Sequence, residues 1–280
     1  GRIARAVGQD PQLDLRIIRP QELVARGRAE ALAEFSAELG ADVVVGPYTV
    51  IGPNVVIGDR TQIGPHVLIE RDTVIGSECE IHKGAVLGTD PQDLKYQGEY
   101  TQLIVGDRTV IREFATLNRG TSAHGRTEVG SDCLLMAYVH VAHDCVVGDR
   151  VIISNAVNMG GHVVIEDFAS VGGMTAIHQF VRIGGHAFVG GASRVQKDVP
   201  PYVRAAGNPS ALYGLNTVGL QRRGFPEAVR TELKRAYRMV FHSTMNVSQA
   251  IVRCREELVM YPEVEHFLSF IEASERGVIF

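Results

Sequence analysis

From Leu39 onward the chain places an aliphatic residue at every sixth position: Leu39, Val45, Ile51, Ile57, Ile63, Ile69, Ile75, Ile81 and Leu87. The series resumes at Val105, Ile111 and Leu117, then runs unbroken from Val129 to Val195 with Met159 as its one non-aliphatic member. A second series lies four residues further on, and its members are small or β-branched: Val55, Thr61, Val67, Thr73, Cys79 and Ala85 open it. The position directly after the aliphatic is frequently Gly, as at Gly46, Gly52, Gly58 and Gly64, which suits a sharp bend with little room for a side chain. Each hexad therefore reads as a short strand and a turn, a unit that buries its face only by stacking on its neighbours. Three hexads close one coil of a triangular prism, so residues 18 apart sit one above another at about the 4.8 Å spacing of neighbouring strands. The period predicts a parallel β-helix over residues 39–200.

Two excursions break the period. Residues 89–104, "TDPQDLKYQGEYTQLI", are polar and contain Pro91 and Gly98, so they read as a loop thrown out of the prism. Residues 121–126, "TSAHGR", form a shorter one. After "DVPPY" the spacing turns helical: Pro226 precedes Val229, Leu233, Ala236 and Val240, and Pro262 precedes Val264, Phe267, Phe270 and Ile271. A linker and a small α-helical C-terminal domain are expected over 201–280. Residues 1–38 match no hexad, although 20–35 has the composition of a helix, and they carry no functional signal.

Composition narrows the classes. An apolar content of 45% supports a packed core, and a net charge of −4 gives no overall attraction to nucleic acid or an anionic membrane. No apolar run approaches the roughly 20 residues needed to span a bilayer, and the first thirty residues lack the order of a signal peptide, so a cytoplasmic protein is expected. Cys79, Cys133 and Cys145 fall in the small inward slot and read as core filler, which argues against a thiol nucleophile.

The segment "HVAHDC", residues 140–145, interrupts the aliphatic monotony. Val141, Met159 and Ile177 are 18 apart, so His143, His162 and His178 fall near one corner on successive coils, with Gly161 stacked against His143 and Asp144 against His162. Polar residues on outward turns are ordinary. Three imidazoles and a carboxylate on adjacent coils point instead to acid–base or metal chemistry. Two readings fit: three imidazoles holding zinc with an open position for water, as in a carbonic-anhydrase-type hydratase, or one histidine acting as general base, oriented by a carboxylate. Spacing alone does not choose between them, and a purely structural β-helix stands as a third class.

The segments "DPQDLKYQGE" (90–99), "NRGT" (118–121), "HVAHDC", "IHQF" (177–180), "QKDVPPYVRAAGNP" (196–209) and "GLNTVGLQRRGF" (214–225) resemble the acyl-acyl-carrier-protein–UDP-N-acetylglucosamine O-acyltransferase family. The resemblance covers about residues 38–280 and implies a homotrimer of left-handed parallel β-helices with clefts between subunits. It implies transfer of a long 3-hydroxyacyl chain from acyl carrier protein to the glucosamine 3-position of UDP-N-acetylglucosamine, the first step of lipid A biosynthesis, with no metal and no further cofactor. His143 would be the general base, Asp144 would orient it, and the Gly161 N–H would stabilise the oxyanion. Asp93, Lys95, His140, His162, His178 and Gln179 would contact the nucleotide sugar or acyl group. Asn216, Arg222 and Arg223 would lie near the nucleotide and its phosphates, unless the two arginines are only a solvated helix start. Gly191 would set the depth of the acyl groove. Arg230, Lys234, Arg235 and Arg238 would receive the acidic carrier protein or form a soluble helix face. Asn118 stands where a histidine is expected and Val218 where a glutamate is, which leaves an amine at C3 of the sugar open as the acceptor.

Overall fold

A six-residue period leaves two residues extended and four to turn a corner. The computed structural model describes residues 37–280 together with one strand at Arg16–Ile17. The expected helix across 20–35, and nearly all of the extension 1–38, lie outside the described residues. From Glu38–Leu39 to Arg194–Val195, mostly two-residue strands alternate with corners, and in each of three parallel sheets the strands follow one another in steps of three. Each sheet is one face of a triangular prism. The first face contains His140–Val141, Asn158–Met159 and Ala176–Ile177; the second Val146–Val147 and Val164–Ile165; the third Ile152–Ile153, Ser170–Val171 and Phe188–Val189.

The register is the one the period demands. Val50 pairs with Leu68, His140 with Asn158 and Asn158 with Ala176, each 18 residues on. The offset rises to 30 between Val86 and Thr116 and to 24 between Thr116 and His140. The surplus of 30 − 18 = 12 and 24 − 18 = 6 residues is the content of the two excursions. The longer one is shorter than expected: strands Val86–Thr89 and Gln102–Val105 reach into both its ends, which leaves 90–101 outside the prism. Leu103 is buried and Gln102 is not, a two-residue alternation hidden behind the polar run.

Inward aliphatics such as Ile57, Ile69, Leu87, Ile111, Leu135 and Ile153 are buried, and the small slot is filled by buried Val, Thr, Ala and Cys. Thr61 donates to Gly76 O at 2.8 Å and accepts from Cys79 N at 3.1 Å, so its hydroxyl is satisfied inside an apolar stack. The cysteines are core filler. Burial pushes the Cys145 thiol up to about 12 and that of Cys133 to about 11.

The bend does not fall on the glycines. Positive φ occurs two residues later, at Asn54 (56°), Arg60 (58°), Asp144 (59°), His162 (61°) and Phe180 (65°). Glycine is required for a different reason: a Cβ on Gly52 would land on the Glu70 carbonyl oxygen of the next coil. A left-handed L-residue costs about 1–2 kcal/mol. Ring stacking one coil apart offsets part of it, by about 0.5–1.5 kcal/mol a pair, as where Tyr48 stacks on His66, His162 on Phe180 and Phe168 on His186.

The prism ends in a hairpin, Val203–Ala206 with Ala211–Leu215, which closes the third face. Four helices follow: α1 (Thr217–Arg222), α2 (Glu227–Phe241), α3 (Val247–Glu257) and α4 (Pro262–Glu272). Pro226 directly precedes α2, Pro262 opens α4, and Val229, Leu233, Ala236, Val240, Val264 and Phe267 are buried in the helical core, as the spacing predicts.

Candidate active site

The corner between the first and second faces carries three columns of residues: Gly160 over His178, His143 over Gly161 over Gln179, and Asp144 over His162 over Phe180. His143 Nδ1 lies 2.8 Å from Asp144 Oδ2. The Asp144 carboxylate is fully buried and accepts two further hydrogen bonds, from Thr121 N at 2.9 Å and Thr121 Oγ1 at 2.7 Å. Burial pushes this carboxyl up, but the bonds from Thr121 and His143 outweigh it and hold it below the ordinary aspartate value. An ionised Asp144 assigns the proton to His143 Nδ1 and leaves Nε2 as the basic nitrogen.

Gly161 lies against that nitrogen. A Cβ there would stand 2.6 Å from His143 Nε2, so the position has no room for a side chain. At the neighbouring corner the equivalent backbone N–H groups are occupied: Ser131 N donates to Asp149 Oδ1 at 2.7 Å and Asp149 N to Asp167 Oδ1 at 2.8 Å. The Gly161 N–H has no acceptor among the described residues. A base with a spare N–H beside it can take a proton from a hydroxyl and hold the charge that develops on an attacked carbonyl.

His162 frames the other side. Its Nε2 is 3.7 Å from Asp144 Oδ2, its ring is edge-on to His143 at 5.2 Å and flat on Phe180 at 4.4 Å. Burial lowers its proton affinity, with Asp144 opposing, and Asp93 of the 90–101 loop is close enough to act in the same direction as Asp144. A third ring, His124, stands edge-on to His162 at 5.3 Å. Periodicity gave no access to it, because it belongs to the short excursion; the signal was that this excursion is inserted one coil before the "HVAHDC" corner. His140 bonds Thr116 Oγ1 at 2.7 Å, and burial, with the nearby His143, lowers its proton affinity. It lines a hollow of about 280 Å³ with Gln92, Phe114, Tyr138 and Asn158.

Several expected members stand elsewhere. His178 is exposed, with Nδ1 on Gln179 O at 3.0 Å and near Arg276, so the three-imidazole zinc arrangement is not formed. The metal-sized cluster at this corner is His143, Asp144 and His162, with Asp144 already held by three donors. Gln179 is exposed one coil past Gly161, and Lys95 is exposed on the loop. Asn216, Arg222 and Arg223 line a separate hollow of about 490 Å³ with Phe168, Ser170, Phe188, Arg204 and Val218. Arg223 donates to Phe168 O at 3.2 Å, at the corner between the second and third faces. Within one chain these arginines do not meet His143. Gly191 lies at the corner between the third and first faces, where a Cβ would be 3.1 Å from Gly173 O. Asn118 is buried and donates to Thr89 Oγ1 at 2.7 Å and Asp90 O at 2.9 Å. Of the four basic α2 residues, Arg235 is paired with Glu232 and Arg230 with Phe225 O, while Lys234 and Arg238 are exposed.

Prism and corner together define a hexapeptide-repeat transferase. The bacterial transferase hexapeptide model matches residues 36–71 and 126–161, and the model described as UDP N-acetylglucosamine O-acyltransferase, domain 2, matches 198–279. The chain is 62% identical to the acyl-acyl-carrier-protein–UDP-N-acetylglucosamine O-acyltransferase of Chlorobium phaeobacteroides over 89% of this chain and 95% of that one. With the enzyme of that name from Thiobacillus denitrificans it shares 44% over 94% and 98%. The solved structure from Acinetobacter baumannii superposes with a TM-score of 0.85 at 42% identity, covering 88% of this chain and 96% of that one; one from Bacteroides fragilis gives 0.85 at 41%, covering 87% and 96%. The chain belongs to the acyl-acyl-carrier-protein–UDP-N-acetylglucosamine O-acyltransferase family, and its fold is the left-handed parallel β-helix followed by helices.

Proposed function

We propose that the protein transfers a long (R)-3-hydroxyacyl chain from acyl carrier protein to the glucosamine 3-hydroxyl of UDP-N-acetylglucosamine, the first step of lipid A biosynthesis. The observation that carries the mechanism is the His143–Asp144 pair set against the free N–H of Gly161. His143 Nε2 takes the hydroxyl proton as the oxygen attacks the thioester carbon. The carbonyl electrons move onto oxygen, where the Gly161 N–H holds them; they return as the carbon–sulfur bond breaks, and His143 gives its proton to the departing phosphopantetheine thiolate. Asp144 keeps the imidazole in its tautomer and stabilises the imidazolium. No acyl-enzyme forms and no metal or other cofactor takes part.

Asp93 and Lys95 on the loop, with His140, His162, His178 and Gln179, contact the sugar nucleotide or acyl group. Asn216, Arg222 and Arg223 of a neighbouring copy hold its phosphates, since paired guanidinium forks suit a diphosphate. The outward positions of the first face, Asn158 and Ala176, lie between the His143 corner and the Gly191 corner, and the acyl chain runs across them toward Gly191. Lys234 and Arg238 receive the acidic carrier protein. No helix among the described residues is long and apolar enough to cross a membrane; a cytoplasmic location is part of the same proposal.

His143→Ala is expected to lower turnover by about 10²–10⁴ with unchanged circular dichroism. Mass spectrometry of the product from mixed acyl carrier proteins with hydroxyl and amine sugar nucleotides reads the chain length and acceptor. Wild-type turnover in the variant would remove the histidine-base mechanism.

A further inference from the structure

The segment Asn118–Thr121 lies between the substrate loop and the catalytic pair and bonds to both. Its first half grips the root of loop 90–101. Asn118 Nδ2 donates to Thr89 Oγ1 and Asp90 O. Arg119, a charged side chain with no solvent exposure, donates to Gly88 O, to Asp90 Oδ1 and, at 3.0 Å, to Tyr96 OH. Its backbone N–H reaches Thr89 O at 3.0 Å. The second half grips the base: Thr121 gives Asp144 both its N–H and its hydroxyl. Between them Gly120 is itself tied down, since its N–H donates to Gln102 O at 3.2 Å, and it packs so closely on the Arg126 backbone that a Cβ would have no room.

A buried, fully desolvated guanidinium needs such partners. Losing the half-exposed Asp90 carboxylate leaves its charge without a counter-ion, and losing the Tyr96 hydroxyl leaves a buried donor without an acceptor, so a displacement of either is resisted. The root is also where polar satisfaction is least complete: Arg71 Nε, Thr101 Oγ1, Asn118 Oδ1 and Arg119 Nε are four of the five buried side-chain polar atoms without a partner among the described residues. Native interiors rarely leave such groups unpaired without a reason. Two of them, Asn118 Oδ1 and Arg119 Nε, belong to the segment that joins the loop to Asp144.

We infer that Asn118–Thr121 is a rigid strap in which Arg119 and Thr121 are positioning residues, so that the seating of loop 90–101 and the orientation of the Asp144–His143 pair are set together. The loop brings Asp93 toward His162; a strap that ties its root to Asp144 makes the acceptor subsite and the base a single unit. The kinetic part rests on the acyltransferase reading above; the structural part does not.

The test is a double-mutant cycle on Arg119→Lys and Thr121→Val, each kept only if its melting curve remains cooperative. Arg119→Lys keeps the charge but loses the fork and is expected to raise KM for UDP-N-acetylglucosamine about tenfold. Thr121→Val removes one donor from Asp144 while keeping the shape. A carboxylate with one donor fewer binds the imidazolium more tightly, so the acid limb of the kcat/KM profile moves up by about half a pH unit or more; kcat falls because an Asp144 held by one bond fewer orients the imidazole less well. The groups facing Asp144 are His143 and His162, and through His162 also His124 and Asp93; none of these is altered. Coupling appears as a combined loss several-fold smaller than the product of the single losses. Loop 90–101 is expected to exchange amide hydrogen faster in both variants. Should Arg119→Lys not fold, Tyr96→Phe, which removes one acceptor from a half-buried ring, replaces it. Losses that multiply, or a loop whose exchange is unchanged in Thr121→Val, overturn the strap. Absence of acyl transfer by the wild type overturns the acyltransferase reading alone, since loop exchange still reports on the strap.

Discussion

Gly161 is held to glycine by a neighbour and not by its own backbone. The His143 ring occupies the place of its Cβ, so Gly161→Ala has to push the imidazole off its bond to Asp144 or away from the free N–H. Either displacement spoils a geometry on which both proton transfer and oxyanion stabilisation depend, and an error of about 1 Å is worth roughly 10² in rate. The expected outcome is a fall in kcat of about 10²–10³ with a melting temperature near the wild type, because no buried core atom is disturbed. Single-turnover kinetics beside a thermal melt decides it. A variant retaining more than about a tenth of the wild-type rate would show that the reaction does not use the ring's place over Gly161.

At the scale of the element, the corner column Asp144–His162–Phe180 combines local strain with a functional surface: all three residues have positive φ, and Phe180 braces His162 from below at 4.4 Å. Phe180→Ala removes the brace and keeps the strained backbone; Phe180→Gly removes both. Both are expected to lower kcat/KM about tenfold by freeing His162, while the glycine variant is the more stable by about 1 kcal/mol. Denaturant melts showing alanine the more stable would mean that the corner is not strained. The column itself was legible in the sequence, because a fixed period converts directly into vertical neighbours: Gly161 under His143 and His162 under Asp144 follow from counting. The place of the bend was not, since a glycine excluded by contact with the next coil looks the same in sequence as one chosen for its φ. His124 and Thr121 were out of reach for a related reason, because they act on the site from a non-periodic loop whose path the hexads do not determine. Asn118 shows a limit of another kind: its place in a motif left its relation to the sugar open, and only the structure shows its Nδ2 engaged at the loop root.

The whole molecule poses a problem that one chain does not solve. His143 stands at the corner between the first and second faces, and Arg223 at the corner between the second and third, anchored on Phe168 O at 3.2 Å. Counting residues places each group on its coil but says nothing about which face a C-terminal segment returns to, so the separation came only with the structure. If one active site needs both groups, a second copy must supply one of them, and a closed ring of three identical chains with head-to-tail contacts provides three equivalent sites. A complementation experiment follows. Chains carrying His143→Ala and chains carrying Arg222→Ala with Arg223→Ala should each be nearly inactive as homo-oligomers. After unfolding and refolding together in equal amounts, random assembly gives each site an intact histidine from one chain and intact arginines from its neighbour with a chance of about one in four, so roughly a quarter of wild-type turnover should return. Native mass spectrometry confirms that mixed oligomers formed. Their formation without recovery of activity would mean that histidine and arginines must come from the same chain. Recovery well above a quarter would mean that one of the two substitutions did not disable its half.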